Sequence, residues 1–331
     1  MAARKSLVTG GTGFIGSHLV EALLGRGEEV RCLVRDRSSP KWIQGLDVEI
    51  VEGDCNDLGS LRLAVEGVDR VYHVAGMTKS ASSEAFYRAN AAGTENLIKA
   101  CLKAGPQVER VVYLSSQAAA GPCETGGLSV ETDPCRPVSH YGRSKRQGEE
   151  AVLRVRDRLS VVILRACAVY GPRDRDFLPL FRSIRRGIQI GLWGMDHRLS
   201  VCYVKDLARA MAVAGQAEMS SGEVFFISDG RFYAWEDVGA AIAEALEVRT
   251  IHLDLPVTLL RWAAVLGDSV TRWSGKPRLL GRERYEELIQ PNWCCDSTKA
   301  MSELGFSPAF DLKRGVAATV AWYRAAGWLD G

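Results

Sequence analysis

The first half of the chain alternates between two patterns of apolar residues. Short runs rich in valine, isoleucine and leucine are almost continuously apolar, and the stretches between them place apolar residues at helical spacing. The predicted elements are strands at 7–8, 29–34, 48–52, 68–75, 110–114 and 160–165, and helices at 14–24, 58–65, 89–104 and 144–157. Strands that are apolar on both faces and joined through helices form a parallel sheet covered on both sides. The predicted fold class is α/β, with a doubly wound parallel sheet.

The glycine-rich loop TGGTGFIG directly follows the first predicted strand and opens the first predicted helix. Such a loop must turn sharply, bring its backbone close to a pyrophosphate and hold the helix against the sheet, and each requirement excludes a Cβ at one position. Gly10, Gly13 and Gly16 have the spacing that meets all three. The helix beginning at Phe14 and Ile15 then directs its positive end at the phosphates. This context predicts a Rossmann-type dinucleotide site.

The regular alternation weakens after residue 171, and irregular strands, loops and helices follow. No internal repeat or low-complexity linker separates the two parts, so we expect them to pack closely together. The predicted division is a dinucleotide-binding domain of residues 1–170 plus about 200–228, and a smaller C-terminal α/β substrate-binding region of residues 171–199 and 229–331.

Composition and charge argue against two classes of function, nucleic-acid binding and membrane spanning. The 331 residues are 47% apolar and 25% charged, which is enough for a large core, and the formal charge of +2 indicates no nucleic-acid partner. No run of about eighteen uninterrupted apolar residues occurs, so no membrane span is predicted. Residues 255–266 are the best candidate for a membrane-surface helix, and a core-packed amphipathic helix is the favoured interpretation there.

The nine cysteines are scattered, without a C-x-x-C pair or a histidine cluster at metal-ligand spacing. Several lie in apolar runs, among them Cys32, Cys167 and Cys202, where a thiol behaves as a small hydrophobic group. The chain reaches its glycine loop by residue 10, which leaves no room for a signal peptide. We therefore expect a cytoplasmic protein with free thiols and without a metal.

A second motif, Y-x-x-x-K, places Tyr141 and Lys145 four residues apart. On a helix, side chains at this spacing share one face and their polar ends can converge. A phenol with a pKa of about 10 is a poor proton shuttle at neutral pH. A nearby ammonium, together with a positively charged nicotinamide ring, stabilises the phenolate and lowers that pKa. The sequence thus offers Tyr141 as the acid/base and Lys145 as the group that tunes it and binds the nicotinamide ribose.

These motifs resemble those of the extended branch of the short-chain dehydrogenase/reductase superfamily, the NAD-dependent epimerase/dehydratase family. This branch includes nucleotide-sugar epimerases and dehydratases, 3-beta-hydroxysteroid dehydrogenases and dihydroflavonol reductases. The loop that starts at Thr9 is similar to the branch's TGxxGxxG, and the resemblance covers the whole chain. It implies an active serine about 25 residues before Tyr141, which selects Ser116 over Ser115. Ser116 would polarise the substrate carbonyl or alkoxide by a hydrogen bond.

The resemblance also implies the remaining cofactor contacts. The positions assigned in this way are Asp54 and Cys55 at the adenine, Ala75 and Gly76 at the ribose, Asn90 at the start of a helix in the N-x-x-G-T motif, and Ala168 and Val169 beside the nicotinamide carboxamide. The last pair lies in RACAVYGPR, which is similar to the R-P-x-x-V-Y-G-P of the family. Ala166 replaces the usual proline there.

Arg35 stands at the end of the second predicted strand, where this type of site usually has an acidic residue. A carboxylate accepts hydrogen bonds from a free ribose 2′-hydroxyl, whereas a guanidinium binds a 2′-phosphate. Arg35, Arg37 and Ser38 together suit a 2′-phosphate, which favours NADP(H) as the cofactor over NAD. Asp36 is the counter-evidence, because it would serve NAD if it took the place of Arg35.

Two positions bear on the branch within the family. Nucleotide-sugar epimerases carry an arginine seven residues before the aspartate that matches Asp206, and here Leu199 occupies that place. Arg198 is adjacent, but a shift of one residue in a strand moves a side chain to the other face. The segment SVCYVKDLARA is more similar to the steroid-dehydrogenase and dihydroflavonol-reductase branch.

The leading hypothesis is an NADP(H)-dependent oxidoreductase that transfers hydride between the nicotinamide and a carbonyl or secondary alcohol. Its partner would be a bulky, apolar small-molecule substrate. Two alternatives stay open: a nucleotide-sugar epimerase or dehydratase with tightly bound NAD, and a non-catalytic dinucleotide-sensing protein. The resemblance further implies a homodimer formed by helices at 90–103 and 144–156. Leu97, Ile98 and Cys101 suit such packing, and contact with the sheet explains them equally well.

Overall fold

The computed structural model describes residues 4–36, 40–80, 82–124, 126–193, 196–274 and 281–329. Its strands are β1 Lys5–Thr9, β2 Glu29–Val34, β3 Val48–Glu52, β4 Arg70–His73, β5 Arg110–Ser116, β6 Val161–Ala166, β7 Ala168–Tyr170, β8 Ile188–Leu192, β9 Arg198–Tyr203, β10 Glu223–Ile227, β11 Phe232–Ala234, β12 Ile251–Leu255 and β13 Asn292–Trp293. Its helices are α1 Phe14–Leu24, α2 Leu58–Val65, α3 Ser83–Phe86, α4 Gly93–Ala104, α5 Gln117–Ala120, α6 His140–Leu153, α7 Leu178–Arg185, α8 Val204–Ala214, α9 Trp235–Leu246, α10 Val257–Ser274, α11 Arg282–Leu288, α12 Thr298–Ser302 and α13 Leu312–Ala325.

The centre of the fold is a seven-stranded parallel sheet in the order β10-β6-β5-β4-β1-β2-β3. Adjacent residues of each strand enter opposite cores, as Leu7 and Val8 show. On one face α1 and α8 cover the sheet, and on the other α2, α4 and α6 do so. A sheet buried on both faces needs the nearly continuous apolar strands found in the sequence. The predicted doubly wound Rossmann-type α/β fold is confirmed.

A smaller region completes the chain. Its four-stranded sheet consists of β11, β9, β13 and β7, and a separate parallel pair joins β8 to β12. A third apolar core lies among α7, α9 and α13. The strand β10 returns to the main sheet, where it pairs with β6. The residue boundaries of the two predicted domains stay a prediction.

Two helices begin earlier than the sequence predicts. The helix predicted from residue 144 begins at His140, because the Ser139 hydroxyl accepts a hydrogen bond of 2.9 Å from the Gly142 N–H and caps it. The helical segment predicted from residue 89 begins earlier, with α3. It continues through a π-helical turn, Tyr87–Ala92, into α4. Asn90 therefore lies inside a continuous helical segment and does not start one, which corrects the predicted helix start.

The helix predicted for residues 255–266 forms as α10, but the core-packed interpretation is wrong. Leu259, Trp262 and Leu266 are exposed, and Ala264 is buried on the opposite side of the helix. Within the described ranges, no helix combines the length and the apolarity that a membrane crossing requires.

The three residues whose types suit a dimer interface are part of the protein's own core. Leu97, Ile98 and Cys101 are buried against the central sheet. An exposed Glu95–Lys99 ion pair of 2.9 Å lies on the outer side of the same helix. The homodimer and the cytoplasmic location stay predictions.

Candidate active site

The glycine loop has the tight geometry that its sequence predicts. Gly10 has a φ of +74°, and a Cβ there would lie 2.7 Å from the backbone nitrogen of Ala75 at the end of β4. A Cβ on Gly16 would lie 2.1 Å from the carbonyl oxygen of Gly10. The Gly13 N–H closes the turn with a 3.0 Å hydrogen bond to the same carbonyl. Two glycines are therefore required by backbone packing alone.

The loop delivers the N-terminus of α1 to the carboxyl edge of the sheet. Gly13 occupies the cap position without a side-chain hydrogen bond, and the first turn, with Phe14 and Ile15, contains no acidic residue. Backbone N–H groups at such a helix start and the helix dipole together bind phosphate. The described loop thus fits the diphosphate of a dinucleotide.

A test of this site is the substitution Gly16→Ala. Because the new Cβ would lie 2.1 Å from the Gly10 carbonyl oxygen, the loop must open, and we expect dinucleotide affinity to fall by about tenfold or more. The matched control is Gly127→Ala in an exposed turn, where the nearest atom would be 3.4 Å away. Fluorescence titration with NADPH measures both. Unchanged affinity in the Gly16 variant would contradict the assigned role of the loop.

Arg35 is exposed at the end of β2 and close enough to Cys55 to act on its pKa. Within the described part of the chain, no carboxylate forms an ion pair with this guanidinium. Burial raises the pKa of the Cys55 thiol to about 12, so this side chain is neutral. The other two members of the predicted 2′-phosphate site, Arg37 and Ser38, lie outside the described residues.

Asp54 follows β3 and shapes the adjacent turn. Its carboxylate accepts hydrogen bonds of 2.8 and 2.7 Å from the backbone and side-chain N–H groups of Asn56. Its backbone N–H donates to the Ser60 hydroxyl at 3.1 Å. The segment predicted to contact the adenine is therefore held by its own hydrogen bonds.

Asn90 holds the segment predicted to lie at the ribose. Its side-chain oxygen accepts from the Met77 N–H at 2.7 Å, and its amide donates to the Met77 carbonyl and the Ser144 hydroxyl, both at 2.9 Å. Both amide N–H groups are thus engaged within the protein. On this geometry Asn90 orients the loop after Ala75 and Gly76 and ties it to α6.

The three predicted catalytic residues converge at the carboxyl end of β5. Ser116 is its last residue, and the Ser116 hydroxyl lies close enough to the Tyr141 phenol to act on its pKa. Lys145, one turn further along α6, donates a 2.6 Å hydrogen bond to the Leu114 carbonyl and lies 4.3 Å from the centre of the Tyr113 ring. The carboxyl edge of a parallel sheet is where ligands bind in this architecture.

Burial sets the protonation of the two titratable residues. It raises the pKa of Tyr141 to about 12, against the opposing effect of the nearby Ser116 hydroxyl. It lowers the pKa of Lys145 to about 7, although the Glu149 carboxylate acts in the other direction. In the protein alone, desolvation of the phenolate outweighs its favourable contacts. The lowered tyrosine pKa expected from the sequence includes the effect of a bound nicotinamide ring and stays a prediction.

The chain matches a known protein family. Residues 6–228 match the model of the NAD dependent epimerase/dehydratase family. The chain belongs to this family. The predicted resemblance is confirmed, and relatives named as a steroid dehydrogenase and a putative dihydroflavonol reductase are also matched. Members of the family with reductase and nucleotide-sugar names both occur among the matches.

Three family members illustrate this range. The ceramide reductase of Caulobacter vibrioides is 33% identical over 329 residues, covering 97% of this chain and 95% of the relative. The sterol demethylase protein B of Methylococcus capsulatus is 31% identical over 342 residues, covering 98% of this chain and 99% of the relative. The solved structure of MoeE5 in complex with UDP-glucuronic acid and NAD has a TM-score of 0.78 at 27% identity, covering 97% of this chain and 99% of that one.

The position that bears on nucleotide-sugar binding carries an apolar side chain in this family member. Leu199 is partly buried and packs against the third core. Arg198 is exposed, and its guanidinium donates to the Asp196 carboxylate at 2.9 Å. The buried Asp206 accepts hydrogen bonds from the backbone N–H groups of Ala309 and Phe310, so it fixes the C-terminal segment.

Ala168 and Val169 lie in β7, which leaves the main sheet and pairs with β9. Both are partly buried. The chain then turns back toward α1, where the Pro172 carbonyl accepts a 2.9 Å hydrogen bond from His18. This contact brings the predicted carboxamide segment next to the helix that follows the glycine loop.

Two carboxylates near the catalytic helix were not predicted from the sequence. Glu283 accepts hydrogen bonds from the backbone N–H groups of His140 and Tyr141 at 2.7 and 3.3 Å. Glu287 accepts from the Ser139 hydroxyl at 2.8 Å, and burial raises its pKa. Both residues lie on α11, more than 140 positions further along the chain, and no local motif marks them.

Among the described residues, no group of three or more His, Cys, Asp or Glu side chains lies close enough to hold a metal ion. All nine cysteines are free thiols.

Proposed function

We propose that the protein is an NADP(H)-dependent reductase that converts a carbonyl of a bulky, apolar substrate to a secondary alcohol. The observation that carries this proposal is the position of the Tyr141 phenol beside the Ser116 hydroxyl, at the carboxyl end of β5. Reduction of a carbonyl needs a proton donor at the substrate oxygen. The Tyr141 phenol carries that proton at physiological pH, and we expect the bound cofactor to lower its pKa toward the range that proton transfer requires.

Each of the three side chains has a separate role in this mechanism. NADPH supplies the hydride when it is bound. Ser116 donates a hydrogen bond to the carbonyl oxygen, and Tyr141 transfers its proton to the same oxygen as negative charge develops there. Lys145, whose amine is buried one helical turn away, stabilises the phenolate that is left and binds the ribose. The non-catalytic alternative is disfavoured, since all three residues are present and grouped.

The preference for NADP(H) rests on Arg35. Its exposed guanidinium suits charge-assisted, bidentate hydrogen bonds to a 2′-phosphate. We expect Arg35→Ser to weaken NADPH binding by about 10- to 100-fold and to leave NADH binding nearly unchanged, because a hydrogen bond to a charged group contributes about 1.5–3 kcal/mol. Parallel titrations with the two nucleotides measure this. The control is Arg158→Ser, which removes another exposed arginine. Equal affinities of the Arg35 variant and the native protein for NADPH would reject the preference.

The relatives and one side chain support an apolar substrate. Two of the similar proteins carry names that refer to lipids, a ceramide reductase and a sterol demethylase protein. Leu199 replaces the arginine expected in a nucleotide-sugar enzyme. One observation favours the second candidate, a nucleotide-sugar epimerase or dehydratase: the solved MoeE5 structure, at 27% identity, holds UDP-glucuronic acid and NAD.

Net cofactor consumption separates the two candidates. The purified chain is mixed with NADPH and, in turn, with long-chain aliphatic, isoprenoid and steroid ketones, and with UDP- and dTDP-linked sugars. We expect stoichiometric NADPH oxidation with at least one of the apolar ketones. Conversion of a nucleotide sugar without net NADPH oxidation would instead establish the second candidate.

A further inference from the structure

The helix α10 presents an apolar face to solvent. Leu259, Trp262 and Leu266 are spaced by three and four residues, which places them on one side of the helix. Their exposed fractions are 53%, 68% and 64%. Ala264, on the opposite side, is only 2% exposed and faces the protein. An amphipathic helix normally turns its apolar face inward, so this orientation indicates that something covers the outer face.

The strand pair β8–β12 presents a second set of exposed apolar side chains. Ile188 pairs with Ile251, and Ile190 pairs with Leu253, so the four exposed side chains lie on one face of the pair. Trp193 follows β8 and is 71% exposed. Its backbone N–H donates a 3.0 Å hydrogen bond to the carbonyl of the last β12 residue, two residues before α10 begins. We call the following eight residues the outer apolar surface: Ile188, Ile190, Trp193, Ile251, Leu253, Leu259, Trp262 and Leu266.

Basic residues border the outer apolar surface. Arg185 and Arg186 precede β8, and Arg249 precedes β12. The strands are parallel, and the Ile251 N–H donates a 2.8 Å hydrogen bond to the Gly187 carbonyl, so these arginines lie at the same end of the pair. All three are exposed, and in the described ranges none has an ion-pair partner.

The sequence of α10 and the segment after it is also basic. Residues 257–282 contain the five basic residues Arg261, Arg272, Lys276, Arg278 and Arg282, against the single acidic residue Asp268. This part of the sequence thus carries a net positive charge. Such a charge is complementary to an anionic surface.

We propose that the outer apolar surface docks the protein onto an anionic lipid bilayer. Tryptophan and leucine side chains enter the boundary between headgroups and acyl chains, and the bordering arginines bind the lipid phosphates. A second copy of the chain fits less well. A two-fold interface pairs this surface with its own copy, which carries the same unpaired arginines and offers them no complementary charge.

The docking element is linked to the catalytic helix. The helix α10 packs against α11, and Glu283 of α11 accepts hydrogen bonds from the N–H groups of His140 and Tyr141. A lipid-like ketone could thus be taken up from the bilayer beside the active site. This consequence rests on the proposed function, whereas the docking itself does not.

Vesicle sedimentation of the full chain tests the docking. Vesicles of phosphatidylcholine alone are compared with vesicles that contain about one-third phosphatidylglycerol. We expect binding to the anionic vesicles that weakens at high salt. The double variant Trp262→Ser with Leu266→Ser should bind about tenfold or more weakly, since two exposed apolar side chains are lost. The double variant Arg185→Gln with Arg186→Gln should also lose about tenfold or more.

The matched control is Leu63→Ser, which removes an exposed leucine of α2 at 65% exposure. It should bind vesicles like the native protein. All variants should keep native NADPH affinity, so a loss of vesicle binding is not a loss of the fold. Absence of binding to anionic vesicles, or equal binding of the Trp262/Leu266 variant, would overturn the proposal. A native dimer that this variant converts to a monomer would assign the surface to a second copy and would also overturn it.

Discussion

Replacing Tyr141 by phenylalanine is expected to lower kcat by about a thousandfold, within the usual 10²–10⁴ range for a general acid. The ring stays in place, where it packs 6.2 Å from the Phe86 ring, and only the hydroxyl is lost. Within the described structure, the Ser116 hydroxyl lies near that hydroxyl, and no hydrogen bond that fixes the fold depends on it. Folding and NADPH affinity should therefore change little. Steady-state kinetics, thermal unfolding and nucleotide titration together separate a catalytic loss from a structural one.

The control for this experiment is Tyr233→Phe in β11. It removes a hydroxyl that donates a 2.7 Å hydrogen bond to Asp229, so it matches the chemical change at Tyr141. Activity of the control should stay near the native level. If Tyr141→Phe kept more than about a tenth of the native kcat, the acid assigned here would be wrong.

Replacing Lys145 by methionine is expected to have opposite effects on activity and stability. The rate should fall by about a hundredfold or more, because the phenolate of Tyr141 loses its neighbouring amine. Stability should rise at acidic pH, because burial of the ammonium disfavours the folded state. This desolvation lowers the pKa of Lys145 from 10.5 to about 7. A methionine of similar length removes the buried charge.

The pH dependence of the stability change has a defined sign. Between about pH 7 and the usual lysine pKa of about 10.4, the unfolded chain binds the Lys145 proton and the folded chain does not. Native stability from this residue is therefore greatest above that window and is lost as the pH falls toward 7. The gain in melting temperature from Lys145→Met should be largest near pH 6 and smaller near pH 9.

Calorimetry of the native protein and the variant at both pH values measures this gain. The exposed Lys103, replaced by methionine, is the matched control and should show no comparable pH dependence. A Lys145 variant that is less stable than the native protein near pH 6 would show that the hydrogen bond to the Leu114 carbonyl outweighs desolvation. That result would contradict the lowered pKa of Lys145.

Features with a local cause could be predicted from the sequence. The central sheet could be predicted from apolar runs that alternate with helical patterns. The glycine loop could be predicted because its turn excludes a Cβ at defined positions. A Cβ at Gly16 would meet the Gly10 carbonyl oxygen of the same loop, and the positive φ of Gly10 is a local demand as well, so neither needed tertiary information. Tyr141 and Lys145 were predictable for the same reason, since four residues of helix bring them to one face.

Features that depend on distant packing could not be predicted. Glu283 reaches the start of α6 across more than 140 residues, and nothing in its neighbourhood marks it. The pKa of Tyr141 depends on how deeply the completed fold buries it, which the Y-x-x-x-K motif does not contain. Likewise, the apolar residues of α10 have the same periodicity whether they face a core or solvent. The sequence favours the common arrangement, in which the apolar face packs against a core, whereas the structure places this face in solvent.

The transfer of labelled hydride tests the central claim most directly. NADPH carrying deuterium at the transferring C4 position is reacted with the apolar ketone found in the substrate screen, and the product is analysed by mass spectrometry. We predict one deuterium on the carbinol carbon for each NADPH oxidised, and formation of this product about a thousandfold more slowly with Tyr141→Phe. A product without deuterium, or a nucleotide sugar that is converted while the NADPH label stays on the cofactor, would contradict the account.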